Sequence, residues 1–200
     1  TDTAWASFVL YLLVFDFVDY WIHRGQHHFN PWWSLHAVHH SQRQMTMWSD
    51  NRNHLLDDLI RDLIIAFTAR AIGVPPEQFV AVVAVTQVIE SLSHANVRMG
   101  FGWVGERLLV SPRFHRVHHG IGIGHEGNAP STLGGCNFAV LFPLWDILFR
   151  TARMDAQPGP TGIRDQLPEQ GGVDYGQGLW AQQWLGLKRL WVSCRHATDD

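Results

Sequence analysis

The sequence predicts an all-α fold, a membrane-associated helical bundle, from two patterns. Long apolar segments alternate with short breaks that contain Gly and Pro, and histidines recur three and four residues apart. The chain has 200 residues, about the length of one domain. Hydrophobic residues make up 46% and charged residues 16%, so the chain can bury a core and is not expected to be disordered.

Charge and composition exclude several classes of protein. The formal net charge is −3 and no basic run is present, which argues against a nucleic-acid partner. Cys136 and Cys194 are too few for a disulfide framework and fit a reduced, cytoplasm-facing environment. Because the chain begins at Thr1 rather than Met, we expect a fragment or a processed product that lacks upstream membrane helices.

The first predicted element is an apolar helix over residues 4–20. Its 17 residues are at the short end of what spans a bilayer, and Asp16 and Asp19 lie near its far end. The alternative is a buried helix of a soluble core. A signal peptide is disfavoured because no basic segment precedes the apolar run and no small-residue cleavage site follows it.

The next elements form a predicted helical hairpin. Residues 54–72 and 77–94 have helical patterns, and the sequence Gly-Val-Pro-Pro at 73–76 separates them. Charged residues interrupt the first helix, so neither is a clean membrane span. If residues 4–20 cross a membrane and the hairpin enters the membrane and returns, the histidines before and after the hairpin lie on the same side of the membrane.

The second half is predicted to be more irregular. A short helix runs from Ser111-Pro112 to His119, a glycine-rich loop follows at 120–135, and an apolar run covers 137–149. Residues 152–178 are predicted to form a surface loop. A last amphipathic helix places Trp180, Trp184, Leu187 and Trp191 on one face, which either lies on a membrane surface or packs on the core.

Histidines carry the strongest functional signal. Twelve of the 13 lie between His23 and His125. Positions i, i+3 and i+4 share one face of a helix, so imidazoles at these spacings converge on an ion or a close pair of ions. Three groups have this spacing: His23 with His27; His36 with His39 and His40; and His115 with His118 and His119. His94 is a candidate ninth ligand, whereas His28 and His125 are expected to be ordinary core residues.

The number of imidazoles predicts two metal ions. A catalytic zinc needs three protein ligands and a structural zinc four, so nine are too many for one ion. Two ions with four or five nitrogens each would use them all, but imidazole leaves the element open. Asp19 and Glu90 each lie four residues before a histidine and are expected to orient His23 and His94 by hydrogen bonding. The alternative for both is ordinary helix-surface charge.

Several segments together resemble the fatty acid hydroxylase / sterol desaturase superfamily. They are DYWIHRGQHH, SLHAVHHS, SHANVRMG, SPRFHRVHHG and NFAVLFPLWDILFRT, and the resemblance covers about residues 16–151. It implies an integral-membrane enzyme with two iron ions that uses O₂ and electrons to hydroxylate, desaturate or oxidatively demethylate lipids. The implied ligands are His23, His27, His36, His39, His40, His94, His115, His118 and His119. Residues 54–57, His-Leu-Leu-Asp, resemble the family's His-Pro-x-acid stretch, but this chain lacks the proline. His54 is therefore a candidate tenth ligand.

The chain departs from the family pattern at three places. The family usually has Asn-Tyr-Gly where this chain has Asn137, Phe138 and Ala139, Arg150 replaces a usual glycine, and the loop at 120–135 is longer and more glycine-rich than usual. These changes leave the predicted metal site intact, but they leave the substrate class open among sterol, fatty acyl, sphingoid and ether lipids.

The prediction from sequence is therefore a di-iron lipid hydroxylase or desaturase, with its active site on the cytoplasmic side of a membrane. We also expect an external electron donor of the cytochrome b5, ferredoxin or reductase type.

The chain is predicted to have two parts: residues 1–151 form the catalytic domain, and 152–200 form a Gly/Pro-rich loop and an amphipathic helix. The tryptophans Trp21, Trp32, Trp33, Trp48 and Trp103 line a channel, lie at the membrane interface or pack in the core. The alternatives are a two-metal hydrolase using a metal-bound hydroxide and a metal-binding protein without catalysis.

Overall fold

The computed structural model describes residues 2–122, 134–176 and 178–196. Within these residues the fold is all-α, as predicted: it contains helices and short 3₁₀ turns but no strand. The helices are α1 (Asp2–His28), α2 (Asn30–His40), α3 (Leu55–Ile72), α4 (Pro76–Ser93), α5 (Gly102–Leu108), α6 (Pro112–His118), α7 (Leu144–Leu148) and α8 (Leu179–His196).

Helix α1 extends beyond its predicted range and carries the first histidines in its last two turns. Over Thr3–His28 it is long and apolar enough to cross a membrane. Its inward face packs through Leu12 and Phe15 against Ala69 of α3 and Val82 of α4. The apolar core therefore ties the first helix to the hairpin that follows the second histidine group.

The predicted hairpin is confirmed. Gly73 ends α3 with φ of 74°, in the left-handed region that suits glycine, and its N–H bonds to the carbonyl of Ala69. Pro75 and Pro76 then start α4, where a missing N–H costs nothing. The hairpin returns the chain to the level of the α3 N-terminus, so His94 at the end of α4 lies near the second histidine group.

A buried carboxylate fastens α1 to the segment after the third histidine group. Asp16 accepts hydrogen bonds from the N–H groups of Leu141 and Phe142, at 2.7 and 3.0 Å, and from the indole of Trp145 at 2.9 Å. Without Asp16 these N–H groups would lose their hydrogen-bond acceptor, which would destabilise the folded protein. Asp16 thus positions residues 141–145 at a fixed point along α1.

Helix α8 packs on α2 and leaves its tryptophans exposed. Helix α8 also lies close to His54, the residue before α3, because residue 186 is glycine: a Cβ there would overlap the ring of His54. Leu185 packs with Trp33 and Ala37 of α2. The stripe of Trp180, Trp184, Leu187 and Trp191 lies on the other side, with exposed fractions from 40% to 77%. Of the two alternatives for the tryptophan face, packing on the core is therefore wrong: α8 packs on α2 through Leu185, and the tryptophan face is exposed.

The irregular segments agree with prediction where the structure describes them. Residues 152–176 form loop structure with short 3₁₀ turns at Arg164–Gln166 and Pro168–Gln170. Most of the predicted glycine-rich loop at 120–135, including His125, lies outside the described residues. Only Leu144–Leu148 of the apolar run at 137–149 is helical.

One departure from the family pattern, Arg150 in place of glycine, lies at an unusual backbone conformation. Asn137 and Arg150 have φ of 58° and 60°, and they are the non-glycine residues with positive φ in the described chain. The left-handed conformation costs an L-residue about 1–2 kcal/mol, although asparagine tolerates it. Arg150 therefore occupies a conformation that explains why a glycine stands at this point in the family pattern.

Replacing Arg150 with glycine should stabilise the protein. We expect Arg150→Gly to raise the free energy of unfolding by about 1 kcal/mol, because the strain of the left-handed residue is removed. Arg153→Gly is the control, because Arg153 has no positive φ and glycine there only adds unfolded-state entropy. Denaturant unfolding of both variants measures the difference; equal destabilisation by both would contradict the strain at residue 150.

Candidate metal centre

Four chain segments deliver nine histidines to one place. The last turns of α1 carry two, α2 carries three near its C-terminus, His94 caps α4, and α6 with its C-cap supplies three. None of the nine exposes more than 8% of its surface. The prediction that histidines distant in the sequence converge in a histidine-rich core is confirmed.

The nine imidazoles fall into two groups in contact with each other. Within each group, one nitrogen of every ring lies within 4.8 Å of the others. The rings of His40 and His119 stack across the boundary with centroids 4.3 Å apart. The first group contains His23, His27, His36, His40 and His118, and the second contains His39, His94, His115 and His119.

Backbone carbonyls orient several of these rings. The Nδ1–H of His23 donates to the carbonyl of Phe138 at 2.7 Å, and that of His118 donates to the carbonyl of Cys136 at 2.7 Å. His94 bonds in the same way to the carbonyl of Glu90 at 2.8 Å. Because a carbonyl only accepts, the proton is on Nδ1 and the Nε2 lone pair of each ring points inward.

The inward nitrogens are arranged for a cation. Nε2 of His94 lies 3.1 Å from Nε2 of His39 and 3.0 Å from Nε2 of His115. A single lone pair cannot accept hydrogen bonds from both neighbours in good geometry. His36 Nε2 is buried without a hydrogen-bond partner among the described residues. Lone pairs converging in a buried site are the donor set that a divalent transition metal requires.

Burial keeps these rings in the neutral state that binds metal. It lowers the pKa of His39, His40, His115 and His119 well below the ordinary value, and the charges of neighbouring histidines lower it further. A neutral ring has a free lone pair, so proton competition with a metal is weak near neutral pH.

A carboxylate network supports the first group from outside. Asp57 accepts a hydrogen bond from His36 Nδ1 at 3.0 Å and from Gln26 and Trp32 at 2.8 and 2.7 Å. The network fixes the tautomer of His36 and places its Nε2 inward. A carboxylate behind a ligating histidine also raises the basicity of the ring.

The segment that carries the acceptor carbonyls is itself held by Asp146. Its carboxylate accepts hydrogen bonds from the N–H groups of Phe138 and Ala139, at 2.9 and 2.7 Å, and burial raises its pKa to about 6. Asp146 belongs to the WDILF signature, and it holds Phe138, the residue whose carbonyl accepts the hydrogen bond from the ring of His23. The signature is thus explained as a support of the histidine site.

The predicted roles of Asp19 and Glu90 need correction. Asp19 forms a two-point ion pair with Arg61, at 2.8 and 3.2 Å, and the Glu90 carboxylate lies 3.5 Å from the same guanidinium. His23 and His94 bond to backbone carbonyls instead. Glu90 does orient His94, but through its main-chain oxygen.

Other expected roles also differ. His54 is not placed as a tenth ligand, because its Nε2 bonds to the carbonyl of Gln183 at 2.9 Å and its Nδ1 accepts from the N–H of Leu56. His28 is exposed rather than part of the core. Of the five tryptophans, Trp33 is a core residue, whereas Trp48 and Trp103 are 81% and 75% exposed. The structure has one cavity beside the histidines and another between helices α1, α3 and α4. None of the five tryptophans lines either cavity.

Sequence reasoning missed Asp57, Asp50, Asp146 and the carbonyls of Cys136 and Phe138. Asp50 lies 3.9 Å from His94 Nδ1. A signal existed for Asp57, which follows His54 in the motif similar to the family's His-Pro-x-acid stretch. No side-chain pattern could reveal the carbonyl acceptors, since they are main-chain atoms.

A helical scaffold with two adjoining groups of buried imidazoles is typical of the class of proteins that can bind metal ions through histidines from several helices. Within that class the comparisons are specific. The family model for fatty acid hydroxylases matches residues 8–151. The chain belongs to the fatty acid hydroxylase family, which confirms the resemblance.

Curated relatives extend this finding. An ornithine lipid hydroxylase of Rhizobium tropici is 31% identical over 78% of this chain and 44% of its own length. An alkylglycerol monooxygenase of Danio rerio is 28% identical over 95% of this chain and 38% of its own. A Delta(7)-sterol 5(6)-desaturase of Gibberella zeae is 26% identical over 56% and 35%. The chain thus spans less than half the length of these relatives. No solved structure matches it significantly.

Asp57 gives the sharpest test of the support network. Asp57→Asn should present an N–H to the Nδ1–H of His36 or break one of the other bonds, and so weaken metal binding about 10- to 100-fold. Titration with Co²⁺, followed by its visible absorption, measures the affinity. Glu77→Gln, an exposed change at the start of α4, is the control. Equal affinity of wild type and Asp57→Asn would contradict the role of the network.

Proposed function

We propose that the protein is an O₂-dependent oxidoreductase that uses two iron ions to hydroxylate or desaturate a lipid. The observation that supports this most directly is the division of nine buried imidazoles into groups of five and four. Each group supplies enough nitrogen donors for one ion, and imidazole is a suitable ligand for iron. The relatives named as lipid hydroxylase, monooxygenase and desaturase point to the same kind of reaction.

Iron and O₂ would supply the redox chemistry that side-chain acids and bases lack for attack on an unactivated C–H bond. His23, His27, His36, His40 and His118 would hold one ion, and His39, His94, His115 and His119 the other. The chain's own contribution is to keep the rings neutral, fix their tautomers through carbonyls and Asp57, and exclude bulk water. Positions held by main-chain atoms are rigid, which limits the reorganisation needed during turnover.

The two-metal hydrolase is the second candidate, and the donor set argues against it. The two groups consist of imidazoles alone, and the nearby carboxylates Asp19 and Glu90 pair with Arg61. The third candidate, metal binding without catalysis, leaves unexplained why a cavity reaches the histidines. O₂ dependence separates the hydrolase from the oxygenase, and turnover separates both from a binding protein.

We further propose that α1 and the α3–α4 hairpin lie in a membrane, with the histidine site on the cytoplasmic side. Only 28% of the apolar window in α1 is buried within the protein. Large apolar side chains on the hairpin are exposed, among them Leu63, Phe67, Val80 and Val88 at 61–74%. Such surfaces are stable against lipid and costly in water. An external electron donor on the cytoplasmic side would complete the reaction.

The division of the chain into two parts is also proposed. Residues 1–151 would form the catalytic domain, and 152–200 would form an accessory segment that covers it. The packing of α8 on α2 and the bond from His54 to Gln183 support such a role. The exposed tryptophans of α8 suit the membrane interface, where indole rings are enriched.

Two single substitutions test the assignment of the two ions. His118→Ala removes a donor from the group of five and His115→Ala one from the group of four. Each should reduce iron from about two ions per chain to about one, because a missing nitrogen weakens one site only. Both should abolish O₂-dependent gain of an oxygen atom, or loss of two hydrogen atoms, in lipids analysed by mass spectrometry.

The control is His28→Ala, which removes an exposed histidine adjacent to the first group and should leave iron and activity unchanged. Full iron content in both ligand variants would contradict the assignment. Turnover under anaerobic conditions without a reductant would instead favour the hydrolase.

A further inference from the structure

A third cavity lies on the outer side of α6, between that helix, the segment after α4 and residues 157–160. Its volume is about 710 Å³, and three arginines line it: Arg98, Arg113 and Arg116. No acidic residue is among the described residues that line it. The cavity is therefore a local concentration of positive charge on a chain whose formal net charge is −3.

Two of these guanidinium groups are held in place by neutral acceptors. Arg113 donates from both terminal nitrogens to main-chain carbonyls of the loop after α7, at 3.1 to 3.2 Å. Arg116 donates to the side-chain oxygen of Asn96 at 2.8 Å. Arg98 is exposed and has no hydrogen-bond or ion-pair partner among the described residues. Positive charges that are positioned but not neutralised are suited to bind anionic groups of another molecule at a low entropic cost.

The arginines lie directly behind the four-histidine group. Arg116 is half-buried and follows the buried His115 in α6, and Arg98 lies four residues after His94. The Nε2 atoms of His94 and His115 are 3.0 Å apart inside the site. A helix with its side chains is about 10–12 Å across, so a partner seated on the arginines is separated from these rings by about one helix diameter.

The proposed reaction requires electrons from outside the chain. Hydroxylation balances as R–H + O₂ + 2 e⁻ + 2 H⁺ → R–OH + H₂O. Desaturation also takes two electrons and two protons, and it releases two water molecules. The side chains of this protein do not supply these electrons, so a donor protein must deliver them close to the histidines.

We propose that the surface formed by Arg98, Arg113 and Arg116, the arginine surface, is the docking site for acidic side chains of the electron donor. This inference rests on the proposed function, because only an oxygenase needs such a donor. The negative net charge of the chain does not attract an acidic protein, so a local positive surface selects the place of contact. Electron-transfer complexes use small interfaces, which a surface around one cavity can provide.

An anionic membrane is less suited to the arginine surface than an acidic protein. The side chains proposed above to face lipid lie on α1 and on the α3–α4 hairpin, and none of them lines this cavity. The membrane is therefore treated as an outcome of the test.

Reversal of one charge tests the docking site. The probe is oxidised plant-type [2Fe–2S] ferredoxin, an acidic protein, titrated by calorimetry into the iron-loaded protein in detergent. At about 20 mM salt, Arg98→Glu should weaken binding about five- to tenfold, and at about 500 mM salt the difference should fall below about twofold because salt screens the attraction. Arg98→Gln should give a smaller loss, since it removes the charge without reversing it.

The matched control is Lys188→Glu, which makes the same change of charge at an exposed position of α8 that does not line the cavity. It should leave the affinity for ferredoxin within about twofold of wild type. An equal loss for Lys188→Glu and Arg98→Glu, or no loss for either, would overturn the proposal.

Electron transfer provides a second measurement. In stopped-flow mixing at low salt, Arg98→Glu should slow oxidation of reduced ferredoxin by the iron-loaded protein by the same factor as it weakens binding. Reduced methyl viologen, a small cation that needs no acidic contact, should react at least as fast with the variant as with wild type. Slower reaction with both reductants would show damage to the metal centre and would overturn the docking site.

The remaining outcomes separate the inference from its alternatives. If Arg98→Glu weakens binding of dihexanoyl phosphatidylglycerol but not of ferredoxin, the arginines bind lipid headgroups and the proposal fails. If lipid is oxidised with methyl viologen as the reductant but ferredoxin binding does not depend on Arg98, the proposed function stands and the docking site fails. If ferredoxin binding depends on Arg98 but no lipid is oxidised, the proposed function fails and the docking site stands.

Discussion

The rest of the structure depends on the crowding of lone-pair nitrogens in a buried space. Ring nitrogens in each group lie within 4.8 Å of one another, and burial holds the rings neutral. Without a cation, such an arrangement pays for desolvation without forming a full set of hydrogen bonds. The fold maintains it because each ring is fastened from behind, by a carbonyl, by Asp57 or by the helix that carries it.

Helix ends explain how one short chain brings so many histidines together. The histidines lie in the last turns of α1, α2 and α6 and at the cap of α4. Asp16 fixes the position of residues 141–145 along α1, and Asp146 fixes residues 138–139. These two buried carboxylates therefore hold the segment that carries the carbonyl of Phe138, which orients His23. The same contacts therefore support both the histidine cluster and the fold of this chain.

Much of this architecture was predictable, and the misses share a physical cause. The spacing of the histidines and the Gly-Pro break fixed the helical faces and the hairpin, because both are local properties of the chain. Asp19 and Glu90 have the correct spacing to face His23 and His94, but local spacing cannot reveal that Arg61 approaches from α3 and pairs with both carboxylates. Contacts through main-chain oxygens, such as that of Cys136, leave no trace in side-chain patterns.

The most direct test of the central claim is a pair of anomalous difference maps from crystals of the iron-loaded protein, collected above and below the iron absorption edge. The account predicts two peaks per chain, one surrounded by the five-histidine group and one by the four-histidine group. A single peak shared by both groups, or peaks located elsewhere in the molecule, would contradict it.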